Sequence, residues 1–403
     1  MPTAPTSTES PVVGEDSSFA VPPASRIDAI DAVRGAALFG VLAVNVVTAF
    51  RISIFQQFLP SRSVAAGGLD GFVEKFVHFA LDMKSFSLFS ILFGLGLAMQ
   101  FERFSRSGRP FYFLTRRLIA LLVFGAVHLL LIWNGDILTE YALAGFIVLP
   151  LLRLSQSSLA GVAGGLLTLY AVRSVFPMLV PLPGPEALGE HIARANTVYP
   201  HGSFTDVLRF SIQEIELIVP LHVSVFPRTV GLFVFGAWIW RCGVFQQARD
   251  NAGVFGGVAA IGILAGVTLT PRTGDPFLQS LAPVVLAIGY GSLIVWIAQI
   301  EGIRRILAPF AAVGRMAFTN YILHSLIFGL IFFGYGFGFF GRMGAASALL
   351  LVSIVYAFMA LLSTFWLSRF RFGPLEWLWR SITYNRSQPM RIDRPVNPAF
   401  RRT

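Results

Sequence analysis

Cysteine is nearly absent. The single Cys242 among 403 residues excludes an intramolecular disulfide framework and any CxxC metal or redox motif. Charge is scarce as well: Asp, Glu, Lys and Arg make up 13% of the chain, against about a quarter in a soluble domain, and lysine occurs only at Lys75 and Lys84. The six histidines show no HxxH or HxxxH spacing, so no metal is expected, with convergence of His191, His201 and His222 outside the membrane the one arrangement left open. The chain does not open on a basic region followed by an apolar run, so no cleavable secretory signal is expected. No strong internal repeat is visible, which counts against the commonest transporter architectures.

What the chain does have is apolar length. With 55% hydrophobic residues and a mean hydropathy of +0.69, it reads as an all-α, polytopic transmembrane bundle. Segments of spanning or near-spanning length fall at about 32–50, 85–102, 116–133, 137–153, 157–179, 228–242, 253–270, 278–300, 309–333 and 345–369, giving about ten spans. Amphipathic helices are expected near 70–84, where Phe72, Phe76 and Phe79 share one side, and near 206–226, broken from the next span at Pro227. Residues 1–25 read as a disordered tail, 26–370 as the transmembrane domain, and 371–403 as an interfacial helix and tail. Within the domain the order is an N-terminal half at 26–155, an outer loop and amphipathic helix at 180–227, and a C-terminal half at 228–370.

The net charge of +10 lies in short arginine clusters between apolar segments, which is a topology signal and not a nucleic-acid surface. Arg103, Arg106, Arg109, Arg116 and Arg117 mark the loop after the second span as cytoplasmic. If 206–226 does not cross separately, the later clusters also fall inside, both termini are cytoplasmic, and Asp136 and the 180–205 loop lie outside.

The stretch from Arg116 to Tyr141 carries the sharpest chemical signal. His128 is the strongly polar side chain of its apolar run, followed by Asp136, Glu140 and Tyr141 at the mouth of the same hairpin. A neutral imidazole can take a proton from a hydroxyl or amine, and a carboxylate can orient it. The structural alternative is a histidine that bridges helices, with Asp136 capping the next helix. Asp31 and Arg34 share a helical face at one boundary, with Asn45 about 16 Å further along. Asn320 and His324 form a second polar stripe one turn apart, below Arg315. The Gly94–Gly96 GLG is too short for a nucleotide fingerprint and suits close helix packing.

Three stretches together, RxxxxDxxRGxALxGxxxxN from Arg26 to Asn45, RR...GxxHxLxxWxGDILxxY, and GRMAxTNY...FGPLEWLWRSxTY, resemble the YeiB-like family of bacterial membrane proteins, whose C-terminal half is a domain of unknown function. The opening motif also resembles the heparan-glucosaminide acetyltransferase type and the bacterial acyltransferases that modify surface glycans. That resemblance implies a cytoplasmic acyl-CoA donor and an acceptor commonly acylated across the membrane. It places Asp31, Arg34 and Gly35 on the shared first-helix motif and matches Asn45 to the heparan type. The family's reactive histidine is not carried over, because no histidine lies between Asn45 and His78; His128 enters on physical grounds alone.

The leading expectation is a bacterial inner-membrane acyltransferase that uses acyl-CoA as co-substrate and a small-molecule or glycan acceptor. Arg34, Arg116, Arg117 and Arg315 would meet the donor's phosphates. His128 would be the base, aided by Asp136 or Glu140, with Asn45 or Asn320 polarising the carbonyl and His324 beside them. The alternatives are a transporter or flippase for an anionic or amphipathic solute, and a scaffold whose polar stripes only pin helices. Neither nucleic acid nor a defined oligomeric state follows from the sequence.

Overall fold

The computed structural model describes residues 28–59, 67–176, 183–272 and 275–392; the expected tail at 1–25 lies outside them, as do 393–403. Among the described residues there is an all-α bundle without a named strand. Its helices are α1 (Asp28–Asn45), α2 (Gly68–Ala80), α3 (Lys84–Ser105), α4 (Pro110–Leu131), α5 (Leu138–Leu151), α6 (Gln156–Val175) and α7 (Pro185–His201), then α8 (Phe204–Arg241), α9 (Ala252–Arg272), α10 (Pro276–Ile297), α11 (Glu301–Arg315), α12 (Ala317–Phe332), α13 (Ala345–Leu367) and α14 (Pro374–Tyr384).

Among the described residues, eight helical stretches are long and apolar enough to cross a membrane, and the α11–α12 pair, bent by 78°, makes a ninth. With the shorter apolar α5 these account for all ten expected segments. Many large apolar side chains face outward, among them Ile261, Leu264, Leu350 and Leu361, as surfaces bathed in lipid do.

Local chemistry explains where these helices begin. Pro110, Pro276 and Pro374 occupy first-turn positions, where a missing N–H costs nothing. Ser203 and Asp206 form a capping box at α8. The Asp136 carboxylate accepts from Leu138 N at 3.1 Å and Thr139 N at 2.7 Å, the expected cap of α5. Glu376 of α14 caps α12 from a distance in sequence, accepting from Phe318 N at 2.8 Å, Thr319 N at 3.0 Å and Thr319 Oγ1 at 2.5 Å. Burial pushes the Glu376 carboxyl up, a shift those hydrogen bonds oppose.

Two boundaries differ from expectation. The break at Pro227 is absent: α8 runs unbroken for 38 residues through Pro220 and Pro227. At 1.5 Å per residue it is about 57 Å long, so its polar first half extends past a hydrocarbon core about 30 Å thick and packs on α7. Neighbouring helices hold a proline-containing helix together when they re-satisfy the freed carbonyls. The segment at 309–333 is likewise not one straight span. Its first residues belong to amphipathic α11, which turns at Met316 into α12, where Asn320 Nδ2 donates to Val313 O at 3.2 Å. The amphipathic helix near 70–84 forms as α2, with Val73 and Val77 buried and Phe72 and Phe76 outward.

Several glycines allow backbones to touch, Gly94 and Gly35 among them. A Cβ at Gly94 would lie 2.0 Å from Phe233 O of α8, and one at Gly35 would lie 2.0 Å from Phe310 O of α11; neighbouring Gly96 meets nothing within 4 Å. The expected packing role therefore falls on Gly94. Replacing Gly94 with Val should destabilise the protein by about 1–3 kcal/mol or more, while Gly96→Val should be near neutral; thermal unfolding in detergent measures the contrast, and equal midpoints would contradict it.

Candidate functional site

The bundle has two unlike ends. At one, Arg116 donates to Ile382 O at 2.7 Å and to Asn385 Oδ1 at 3.1 Å, Arg117 lies 3.4 Å above the Trp379 ring, and Arg241 donates to Leu152 O and Leu154 O. Arg34 pairs with Asp31 at 2.6 Å. The Nε of Arg117 is buried without a hydrogen-bond partner among the described residues. Arg116 and Arg117 tie α4 to α14, and Arg241 ties α8 to the turn between α5 and α6, at the end expected to meet the donor.

At the other end lies a cavity of about 430 Å³. The end of α1 contributes Asn45 and the turn after it Thr48; Asp82 and Met83 come from the turn before α3, Phe86 and Ser90 from its start, and the Trp133–Ile137 turn leads into Glu140 and Tyr141 of α5. Tyr199, Phe333 and one face of α8 from Glu214 to Thr229 close it. Two irregularities shape this wall. The chain after Asn45 forms a π-helical turn, Val46–Phe50, and Met83 has φ of 61°, a left-handed conformation that costs a non-glycine residue about 1–3 kcal/mol. Both kinds of distortion concentrate at functional sites.

Two carboxylate networks face this space. The Glu140 carboxylate accepts from His222 Nδ1 at 2.5 Å and Thr229 Oγ1 at 2.5 Å. In its neutral form a histidine whose Nδ1–H is so engaged carries its lone pair on Nε2, and Nε2 of His222 has no partner among the described residues. Glu214 accepts from Tyr199 Oη, from Asn134 Nδ2 at 2.8 Å and from His191 Nε2 at 2.7 Å. Burial and the neighbouring Glu214 push the Tyr199 phenol well above its ordinary range, so Tyr199 stays a donor. Asn45 is 6% exposed, lines the cavity, and makes no side-chain hydrogen bond among the described residues. Buried amides normally have partners.

Of the residues expected to act, Asn45 and Glu140 line the cavity and the others do not. His128 is 0% exposed, packed against Tyr321 and Trp133 with ring centroids 5.1 and 6.4 Å away. Its Nδ1 meets Asp136 Oδ1 at 2.9 Å and its Nε2 meets Ser325 Oγ at 2.9 Å. This is a Ser-His-Asp constellation, but a sealed one: Trp133, Gly135 and Ile137 line the cavity while His128 does not. It joins α4, the turn before α5, and α12. Asn320 Nδ2 also donates to Ser363 Oγ at 2.9 Å, and His324, fully buried, has Nδ1 3.4 Å from Asn320 O and Nε2 without a partner. Among the described residues no three His, Cys, Asp or Glu side chains form a metal-holding group.

Sequence reasoning missed His222 as the partner of Glu140, along with Arg228, Thr229, Glu214 and Tyr199. The signal lay in the mixed polar and apolar stretch at 206–226, which reads as a surface helix until its continuity with 228–241 is known.

A relative 30% identical over 385 residues, covering 91% of this chain and 96% of the relative, is "Uncharacterized protein YxaH" of Bacillus subtilis (strain 168). The chain belongs to the DUF418/YeiB-like family. "Uncharacterized protein YeiB" of Escherichia coli (strain K12) is 28% identical over 384 residues, covering 89% of this chain and 97% of its own, and an uncharacterized 39.9 kDa protein of Bacillus acidopullulyticus is 27% identical over 387 residues, covering 92% and 98%. The family described as "Protein of unknown function (DUF418)" matches residues 239–386, which run from the end of α8 through α14. The cavity wall formed by α1, α3, α5 and the first part of α8 precedes that match, whereas the full-length relatives extend across it.

If the His128 network is a helix pin, Ser325→Ala should cost about 1–3 kcal/mol, the usual penalty for leaving a buried group unsatisfied. Thermal unfolding of the purified protein reads this, and an unchanged midpoint would contradict the pin.

Proposed function

We propose that this DUF418/YeiB-like protein is an integral membrane acyltransferase whose acceptor is bound in the cavity. The observation that carries the reading is the pairing in one cavity of Glu140–His222, an imidazole with a free Nε2, and the unpartnered amide of Asn45. The resemblance of the Asp31–Arg34–Asn45 motif to membrane acyltransferases points the same way.

The arginine-rich end is cytoplasmic in this reading, following the bias of arginines toward that face, so the cavity opens on the extracytoplasmic side of the bacterial inner membrane and both termini are inside. An acyl-CoA donor supplies the activated carbonyl. Arg34 and Arg116 would meet its phosphates, and the 11 residues from Arg34 to Asn45 span about 16 Å along α1, a distance an extended pantetheine arm covers. His222 Nε2 takes the proton of an acceptor hydroxyl or amine as its oxygen or nitrogen bonds the acyl carbon. The Asn45 amide donates to the carbonyl oxygen as charge builds there. The carbon–sulfur bond then breaks, and the proton held by His222 passes to the departing thiolate. Glu140 fixes the imidazole's tautomer and stabilises its charged form.

Arg228, a buried guanidinium in the same wall, favours as a second reading the passage of an anionic amphipathic solute. One experiment separates the two. Membrane vesicles carrying the protein receive acetyl-CoA labelled in its acetyl group, and label fixed in envelope glycan or lipid is counted. Acyl transfer predicts fixation above protein-free vesicles and a drop of about 10²–10⁴-fold in His222→Gln. Fixation equal to that of protein-free vesicles would overturn the reading.

A further inference from the structure

We infer that the cavity selects an acceptor bearing an anionic oxygen group, a phosphate or a carboxylate, held by Arg228; this rests on the cavity being the acceptor site. Arg228 lies on α8 six residues after His222, is 4% exposed and lines the cavity. Among the described residues it forms no ion pair. Its one hydrogen bond runs from Nη1 to the sulfur of Met83 at 3.3 Å, and its Nε is buried with no partner. The Tyr170 ring lies 5.7 Å from the guanidinium carbon, a weak substitute for a counter-ion.

Burying a charge without an opposing one is among the costliest arrangements in a protein. The acids that line the cavity with it are committed elsewhere, Glu140 to His222 and Thr229, Glu214 to Tyr199, Asn134 and His191, and Asp82 to His78, so among the described residues the cation has no acid of its own. A guanidinium offers a planar fork of donors suited to two oxygens of a phosphate or carboxylate. Met83 touches that fork and holds its strained left-handed backbone at this point, so the start of α3 is shaped around the guanidinium. The rest of the wall is mixed: Phe86, Ile218 and Val225 present apolar surface beside Asn45 and His222. The complementary molecule is amphipathic, with its anionic group on Arg228 and its hydroxyl or amine near His222.

The test uses the full-length protein in detergent and the quenching of tryptophan fluorescence, since Trp133 lines the cavity. Four probes are titrated: dioctanoyl phosphatidate, octanoate, inorganic phosphate, and neutral dioctanoylglycerol. The proposal expects the wild type to bind at least one anionic probe at least about tenfold more tightly than dioctanoylglycerol. It expects Arg228→Gln to lose that preference and Arg228→Lys to keep part of it. Tight binding of the two anionic amphiphiles but not of inorganic phosphate assigns the site to an amphipathic molecule, whereas tight binding of inorganic phosphate with no gain from the chains assigns it to a small solute and overturns the amphipathic part. Equal affinity for charged and neutral probes in the wild type overturns the proposal whether or not the variants fold. A preference lost in Arg228→Gln but unaccompanied by acetyl fixation would sink the acyl-transfer reading and leave the anion site standing.

Discussion

Glu140 sits where the shortest apolar helix meets the longest, and both of its oxygens are taken by residues of α8, His222 and Thr229. In water such a carboxylate would need no help. Within a bundle of this apolar composition its charge has to be met by donors from the protein, so the contact fixes the register of α5 against α8 and brings the two polar faces to one cavity. The rest of the arrangement follows: α8 must remain continuous past Pro220 and Pro227 so that Glu214, His222 and Arg228 share a wall, and the turn before α5 must be tight enough to present Asn134 and Glu140 together.

Polar groups in the bundle divide by whether their bonds are satisfied. His128, Asp136 and Ser325 complete one another, as do Glu214, Tyr199, Asn134 and His191. Such closed networks specify helix packing. Asn45, Nε2 of His222 and Nε of Arg228 are open, and all three belong to residues that line the same cavity. His324 Nε2, Thr139 Oγ1 and the Nε atoms of Arg117 and Arg173 are also unpaired but belong to residues outside that lining, which separates them from this set. Depth in the bilayer alone does not mark a functional residue; depth combined with an unmet bond beside open volume does.

The spans were legible because lipid-facing helices must be apolar along about 20 residues, and the caps at Asp136, Ser203 and Pro374 follow from local chemistry. What the sequence concealed is of longer range. His128 stood out by its apolar surroundings, yet Ser325, its second partner, lies 197 positions away on a stripe read for Asn320 and His324. Glu140 and His222 are 82 positions apart, and no spacing rule links them. The continuity of α8 depends on the helices packed around its prolines, and the bend at Met316 on Glu376 from α14. Asn45 was found because it ends a recognisable motif; that it lines the cavity, just before a π-helical turn, was not legible.

The central claim is that the Asn45–His222–Arg228 cavity, and not the buried His128 constellation, is reached from outside the protein. In a Cys242→Ser background, Ser224→Cys and Ser325→Cys each place one thiol, the first on the cavity wall and the second against His128. A membrane-impermeant maleimide applied to intact cells and to inverted vesicles should label position 224 from the extracytoplasmic face only and position 325 from neither. Rapid labelling at 325 with none at 224 would contradict the account.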